Sequence, residues 1–166
     1  MRSIVRLASL MLLATLTGAC CTQEPGGLND ELDPRAQGDF TLYRLDGDRY
    51  PGEAVPEGGK LLHGWLILEA CPIEDTATRN RIFRAFDDGM DAAPRVSVDC
   101  FNPRHAISVV QADGVQMDWL ICFQCSNWYS YENETMVGGG GTSRDPADVF
   151  NDILSACSGK TKTDDK

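Results

Sequence analysis

The chain has no hydrophobic run long enough to cross a bilayer, and it is short of positive charge. Its one long uncharged stretch, Leu7 to Leu16, is about half of the ~20 apolar residues that a spanning helix needs. Lys and Arg together number 15 against 25 Asp and Glu, a formal net charge of −10. Nucleic acid is excluded as a partner, because binding it requires a positive face to displace counterions. The same acidity excludes electrostatic attachment to anionic lipid headgroups. The glycine run Gly138 to Gly141 is followed by no Lys-Ser/Thr pair, so it is not a phosphate-binding loop. No segment repeats, and the length suits one domain.

What is present begins at the N-terminus. Arg2 and Arg6 supply positive charge, Leu7 to Leu16 an apolar core, and Leu16-Thr17-Gly18-Ala19 leads small residues up to Cys20. Residues 1–19 therefore read as an export signal cut before a cysteine that takes acyl chains. Leu16 lies four places before Cys20, one more than the preferred bacterial lipobox spacing. An ordinary cleaved signal followed by two chance cysteines, Cys20 and Cys21, is the alternative. A single acyl chain holds a protein to a membrane marginally, whereas a diacylated, N-acylated cysteine holds it firmly. The expected address is the cell envelope, with the membrane engaged through the lipid.

Residues 20–39 are polar, acidic and broken by Pro and Gly, and read as a tether. Residues 40–158 form the domain, and 159–166 a polar tail. Phe40 to Leu45 and Leu61 to Ala70 read as strands, with the Pro- and Gly-rich Tyr50 to Gly59 as loop. Asp75 to Met90 reads as a helix capped by Asp75, with Ile82, Phe83 and Phe86 on its buried stripe and Gly89 as terminator. Pro146 to Cys157 reads as a second helix with Asp145 as N-cap and Gly159 as terminator; Val149, Phe150, Ile153, Leu154 and Cys157 share one face, which suggests a buried thiol at Cys157. Trp128 to Met136 alternates as a further strand, with Gly138 to Gly141 as a flexible connection. The expected fold is α+β: an antiparallel sheet of about five strands with two helices packed on one face.

Asp113-Gly114 separates Ala106–Ala112 from Val115–Phe123 and predicts a two-residue type I′ hairpin. That turn pairs Ala112 with Val115 and places His105 opposite Cys122, with Cβ atoms about 5 Å apart. Cys100 and Cys125 fall near the open end, so Cys100, His105, Cys122 and Cys125 are expected within roughly 10 Å. Ala106, Ser108, Val110, Met117, Trp119, Ile121 and Phe123 would face the helices, and His105, Ile107, Val109, Leu120 and Cys122 the other side. A one-residue change in loop length would separate His105 from Cys122.

Cys100-Phe101-Asn102-Pro103-Arg104-His105-Ala106-Ile107 and Ile121-Cys122-Phe123-Gln124-Cys125 resemble paired segments of a group of small, uncharacterised bacterial lipoproteins. The resemblance is strong over those segments and loose over the rest of the domain. It implies that the constellation is a unit, and it implies no activity.

Four readings of the cluster stand open. It is a structural disulfide, Cys100–Cys125 or Cys122–Cys125, beside a hydrogen-bonded His105; a Cys₃His site for zinc or another thiophilic metal such as copper; a thiol–disulfide exchange pair at Cys122 and Cys125; or a Cys/His nucleophile with His105 as base. His63, in the second strand, reads as a structural histidine. The expectation is an exported, membrane-anchored lipoprotein with a Cys/His-stabilised domain that binds or supports rather than catalyses. A zinc or copper protein comes second and a thiol-dependent enzyme third. The protein or small-molecule partner is open.

Overall fold

The computed structural model describes residues 31–95 and 99–161. The expected signal and Cys20 lie outside the described residues. Seven strands form one antiparallel sheet: β1 (Asp39–Leu45), β2 (Leu61–Leu62), β3 (Trp65–Pro72), β4 (His105–Val110), β5 (Gln116–Cys122), β6 (Asn127–Glu132) and β7 (Thr135–Gly141), in the order β2-β3-β1-β4-β5-β6-β7. Helices α1 (Thr76–Asp91) and α2 (Ala147–Thr161) complete an α+β fold. Among the described residues no helix is long and apolar enough to cross a membrane.

Both helices bury their apolar stripes on the same face of the sheet. Ile82, Phe83 and Phe86 of α1 and Phe150, Ile153 and Leu154 of α2 join Phe40, Leu42, Ile107, Val109, Trp119 and Ile121 in one core. The other face carries a smaller cluster of Leu45, Leu62, Trp65, Ala106 and Leu120. It is partly covered by the β2–β3 hairpin, so the sheet is sandwiched unequally.

Two strands beyond the expected five come from local chemistry. His63 and Gly64 both adopt positive φ, 47° and 86°, and the pair Leu62↔Trp65 closes a two-residue hairpin. The expected single strand Leu61–Ala70 is therefore two strands. The second addition is the glycine run. Gly138 to Gly141 pair with β6 as an edge strand rather than forming a flexible connection. A Cβ at Gly139 would lie 2.6 Å from Tyr129, and one at Gly140 3.2 Å from the Trp128 indole. The glycines leave room for β6 aromatics to lie across the edge.

Two helix ends differ from expectation, while one cap agrees with it. Asp75 caps α1, accepting from the Thr78 N–H at 2.8 Å, as the sequence implies. Gly89 does not end α1; it is buried inside it, where a Cβ would meet Pro146 and Thr142 at 2.7 Å. Its value is close approach between α1 and the connection that leads from β7 into α2. Helix α2 likewise runs through Gly159 to Thr161.

The expected tether contributes to the fold. Ala36, in a 3₁₀ turn over Pro34–Ala36, is fully buried, and Leu32 packs on the main core. The Asp33 N–H donates to Asn80 Oδ1 at 2.8 Å. Arg35 lies over the Phe83 ring, 4.3 Å from its centroid, and bonds both Asp33 and Asp87. These bonds hold the Asp33 carboxyl below its usual range, the Arg35 side-chain hydrogen bond being the largest cause. The ordered domain therefore begins several residues before Phe40.

Candidate functional site

The hairpin that was to assemble the cysteine–histidine cluster turns through three residues. Gln111 N–H donates to Val115 O at 2.8 Å and Gly114 N–H to Gln111 O at 2.9 Å, with Gly114 at φ 87°. A type I turn followed by a left-handed glycine is the usual three-residue alternative to the type I′ pair. Val110 consequently pairs with Gln116, and His105 with Ile121. The one-residue slip reverses the expected faces of β4. His105, Ile107 and Val109 face the helices, and Ala106 and Ser108 face away.

His105 and Cys122 thus lie on opposite sides of the sheet. Cys100 and Cys125 form a disulfide, with Cα atoms 5.8 Å apart; this is one of the two pairings expected. Cys122 is a buried free thiol, and its sulfur accepts the Cys125 N–H at 3.1 Å. The Cys-x-x-Cys spans the β5–β6 turn, not a helix N-terminus. Cys157, read as a core thiol, is instead bonded to Cys71, with Cα atoms 5.9 Å apart. That bond ties the last helix to β3.

The four expected ligands therefore do not form a zinc or copper site. Two of the sulfurs are spent in a disulfide, and the remaining thiol and imidazole are separated by the sheet. Among the described residues no group of three or more His, Cys, Asp and Glu could hold a metal ion. The Cys/His nucleophile fails on the same geometry, because His105 cannot reach the Cys122 proton.

His105 occupies a different site. Only 6% exposed, it packs against the rings of Phe123 and Phe150. Its Nε2 lies 3.0 Å from Asn151 Oδ1 on α2. Asn151 Oδ1 also accepts from Arg44 Nη1 at 3.4 Å, which fixes it as the oxygen and makes His105 Nε2 the protonated nitrogen. Nδ1 is left as a buried acceptor without a partner. Burial pushes the imidazole pKa down to about 4, and the Arg44 and Arg104 charges add to the effect while the Asn151 bond opposes it. At neutral pH His105 is uncharged.

A cavity of about 270 Å³ opens beside this ring, with Arg44, Arg104, His105 and Asn151 in its lining. A bulge in the β1–β3 pairing between Arg44 and Leu45 sits at its edge. Bulges commonly re-aim side chains beside functional sites. Arg44 Nε donates to Glu69 at 3.2 Å, and Arg104 pairs with Asp48.

The sheet's other face holds a polar cluster that sequence reasoning did not assemble. Asp118, fully buried on β5, accepts from His63 Nε2 at 2.7 Å and from Gln116 Nε2 at 2.9 Å. The His63 ring stacks on Tyr131 at 3.9 Å. Two signals were in the sequence: a His-Gly pair interrupting an apolar run, and one carboxylate in an otherwise apolar strand. The arrangement clamps the β2–β3 turn to the sheet. Gln116 Nε2 also donates to Ser108 Oγ at 3.3 Å, which ties β4 into the same network. No family model, curated protein or solved structure matches the chain.

Proposed function

We propose that this is an exported bacterial envelope protein, lipidated at Cys20 and held at a membrane, whose folded domain is a non-catalytic binding module. One observation carries the reading: four of the five cysteines in the described residues are spent in two disulfides. Such bonds persist outside the cytosol and are rare within it. The leader ending at Cys20 gives the same address from independent residues. The motif shared with small bacterial lipoproteins fits it, since Cys100 and Cys125 close the paired segments against each other.

The non-catalytic part rests on what surrounds each reactive group. Cys122 shares its side of the sheet with His63 and Asp118, but these are bonded to each other, and Asp118 lies four residues, about 13 Å, away along β5. His105 is neutral and bonded to an amide, and His63 is bonded to a buried carboxylate and stacked on Tyr131. Fractionation of expressing cells tests the address. Wild-type protein should sediment with membranes, and C20A should be released to the soluble fraction. A C20A protein that stays membrane-bound refutes lipidation there, and an uncut wild-type chain in the cytosol refutes export.

A further inference from the structure

The geometry points to the cavity between β1, β4, the β5–β6 turn and α2 as a binding site for a small organic monocarboxylate. Its acid group is held by Arg44 and Arg104, and its apolar body lies against Phe123 and Leu68. This rests on the binding-module reading above and is independent of the lipid anchor.

Size and charge both select the ligand. At about 270 Å³ the cavity falls just under the ~300–1,000 Å³ of drug-sized sites, so the occupant is small. The lining includes two arginines and no Asp or Glu, on a chain of net charge −10. A guanidinium offers five N–H donors in a planar fork that suits carboxylate. Arg44 commits Nε to Glu69 and Nη1 to Asn151. Arg104 is paired with Asp48, but the two side chains are 45% and 76% exposed. An exposed pair of that kind is worth about 0–1 kcal/mol, so a ligand can displace it at little cost.

Each arginine already shares its charge with a protein carboxylate, which favours one negative charge over the two of a phosphate monoester. His105 adds no third charge, because burial keeps it neutral. Asn102, Gln124 and Asn151 offer amide groups to a hydroxyl or keto oxygen beside the acid. The rest of the wall, with Leu68, Phe123 and Ala147, is apolar.

The test is a titration of ¹⁵N-labelled mature protein with benzoate, hexanoate and the uncharged isostere benzamide, followed by amide chemical shifts. Benzoate and hexanoate should shift residues around Arg44, His105, Phe123 and Asn151, and benzoate should bind at least about tenfold more tightly than benzamide. R104Q should weaken benzoate about tenfold and leave benzamide unchanged. Equal affinity for benzoate and benzamide overturns the proposal. So does saturation at a different surface, or no saturable binding of either acid up to about 10 mM. The benzoate–benzamide comparison uses the unaltered protein, so it holds even if R104Q folds poorly. Membrane release of C20A is read separately, so failure here leaves the address standing.

Discussion

Removing the Cys71–Cys157 disulfide should destabilise the protein more than removing Cys100–Cys125. The bonds close loops of 86 and 25 residues by sequence separation. In the chain-entropy treatment the denatured state loses freedom as the logarithm of loop length, giving about 4.6 kcal/mol for the longer loop and about 3.5 kcal/mol for the shorter. The shorter loop is nested in the longer, which trims the first figure to about 4.3 kcal/mol while both are intact. Each pair contains one buried cysteine, Cys71 and Cys125, both 2% exposed. The penalty for burying a serine hydroxyl is therefore similar in C71S/C157S and C100S/C125S and largely cancels in the comparison. Against a total stability of about 5–15 kcal/mol, either loss is large. Urea unfolding of the wild type and the two double variants, followed by far-UV circular dichroism, measures the difference. The reasoning fails if C100S/C125S is the less stable variant, or if a reductant leaves the wild-type midpoint unmoved.

Three further outcomes follow from the same contacts. The folded pKa of His105 lies near 4, below the ~6.5 of an unfolded histidine, so the unfolded state binds the extra proton and stability falls as pH drops from 6.5 toward 4. Between pH 7 and 5 that loss is about 2 kcal/mol, and H105Q should lose measurably less than wild type over this interval; parallel pH profiles would refute it. H63A leaves the Asp118 carboxylate buried without its closest partner and should cost about 3 kcal/mol or more, read by thermal unfolding; a loss under about 1 kcal/mol would contradict the clamp. G89A exchanges glycine for the best helix former, worth up to ~1 kcal/mol in an open helix, yet overpacking against Thr142 and Pro146 should make it destabilising by about 1–3 kcal/mol. A more stable G89A would refute the close approach.

Periodicity and caps carried the fold class, both helices and the strands β1, β4, β5 and β6, because these depend on neighbours within a few residues. Asp75 caps α1 for a reason wholly contained in Asp75 to Thr78. Glycine was the least legible residue. Gly89 and Gly139 sit where they do because another segment comes close, and no local pattern records that approach.

The sequence by itself determined the acidic charge balance, the amphipathic stripes and the number of sulfurs available to pair. Tertiary structure decided which sulfurs pair and which side chains meet. Asp113-Gly114 is compatible with a two- or a three-residue turn, and these differ by one position in register. Because side chains alternate along a strand, that one position moved His105 from Cys122 to Asn151. Burial of Ile107 and Val109 against both helices favours the three-residue turn, and this long-range gain is invisible to the turn itself.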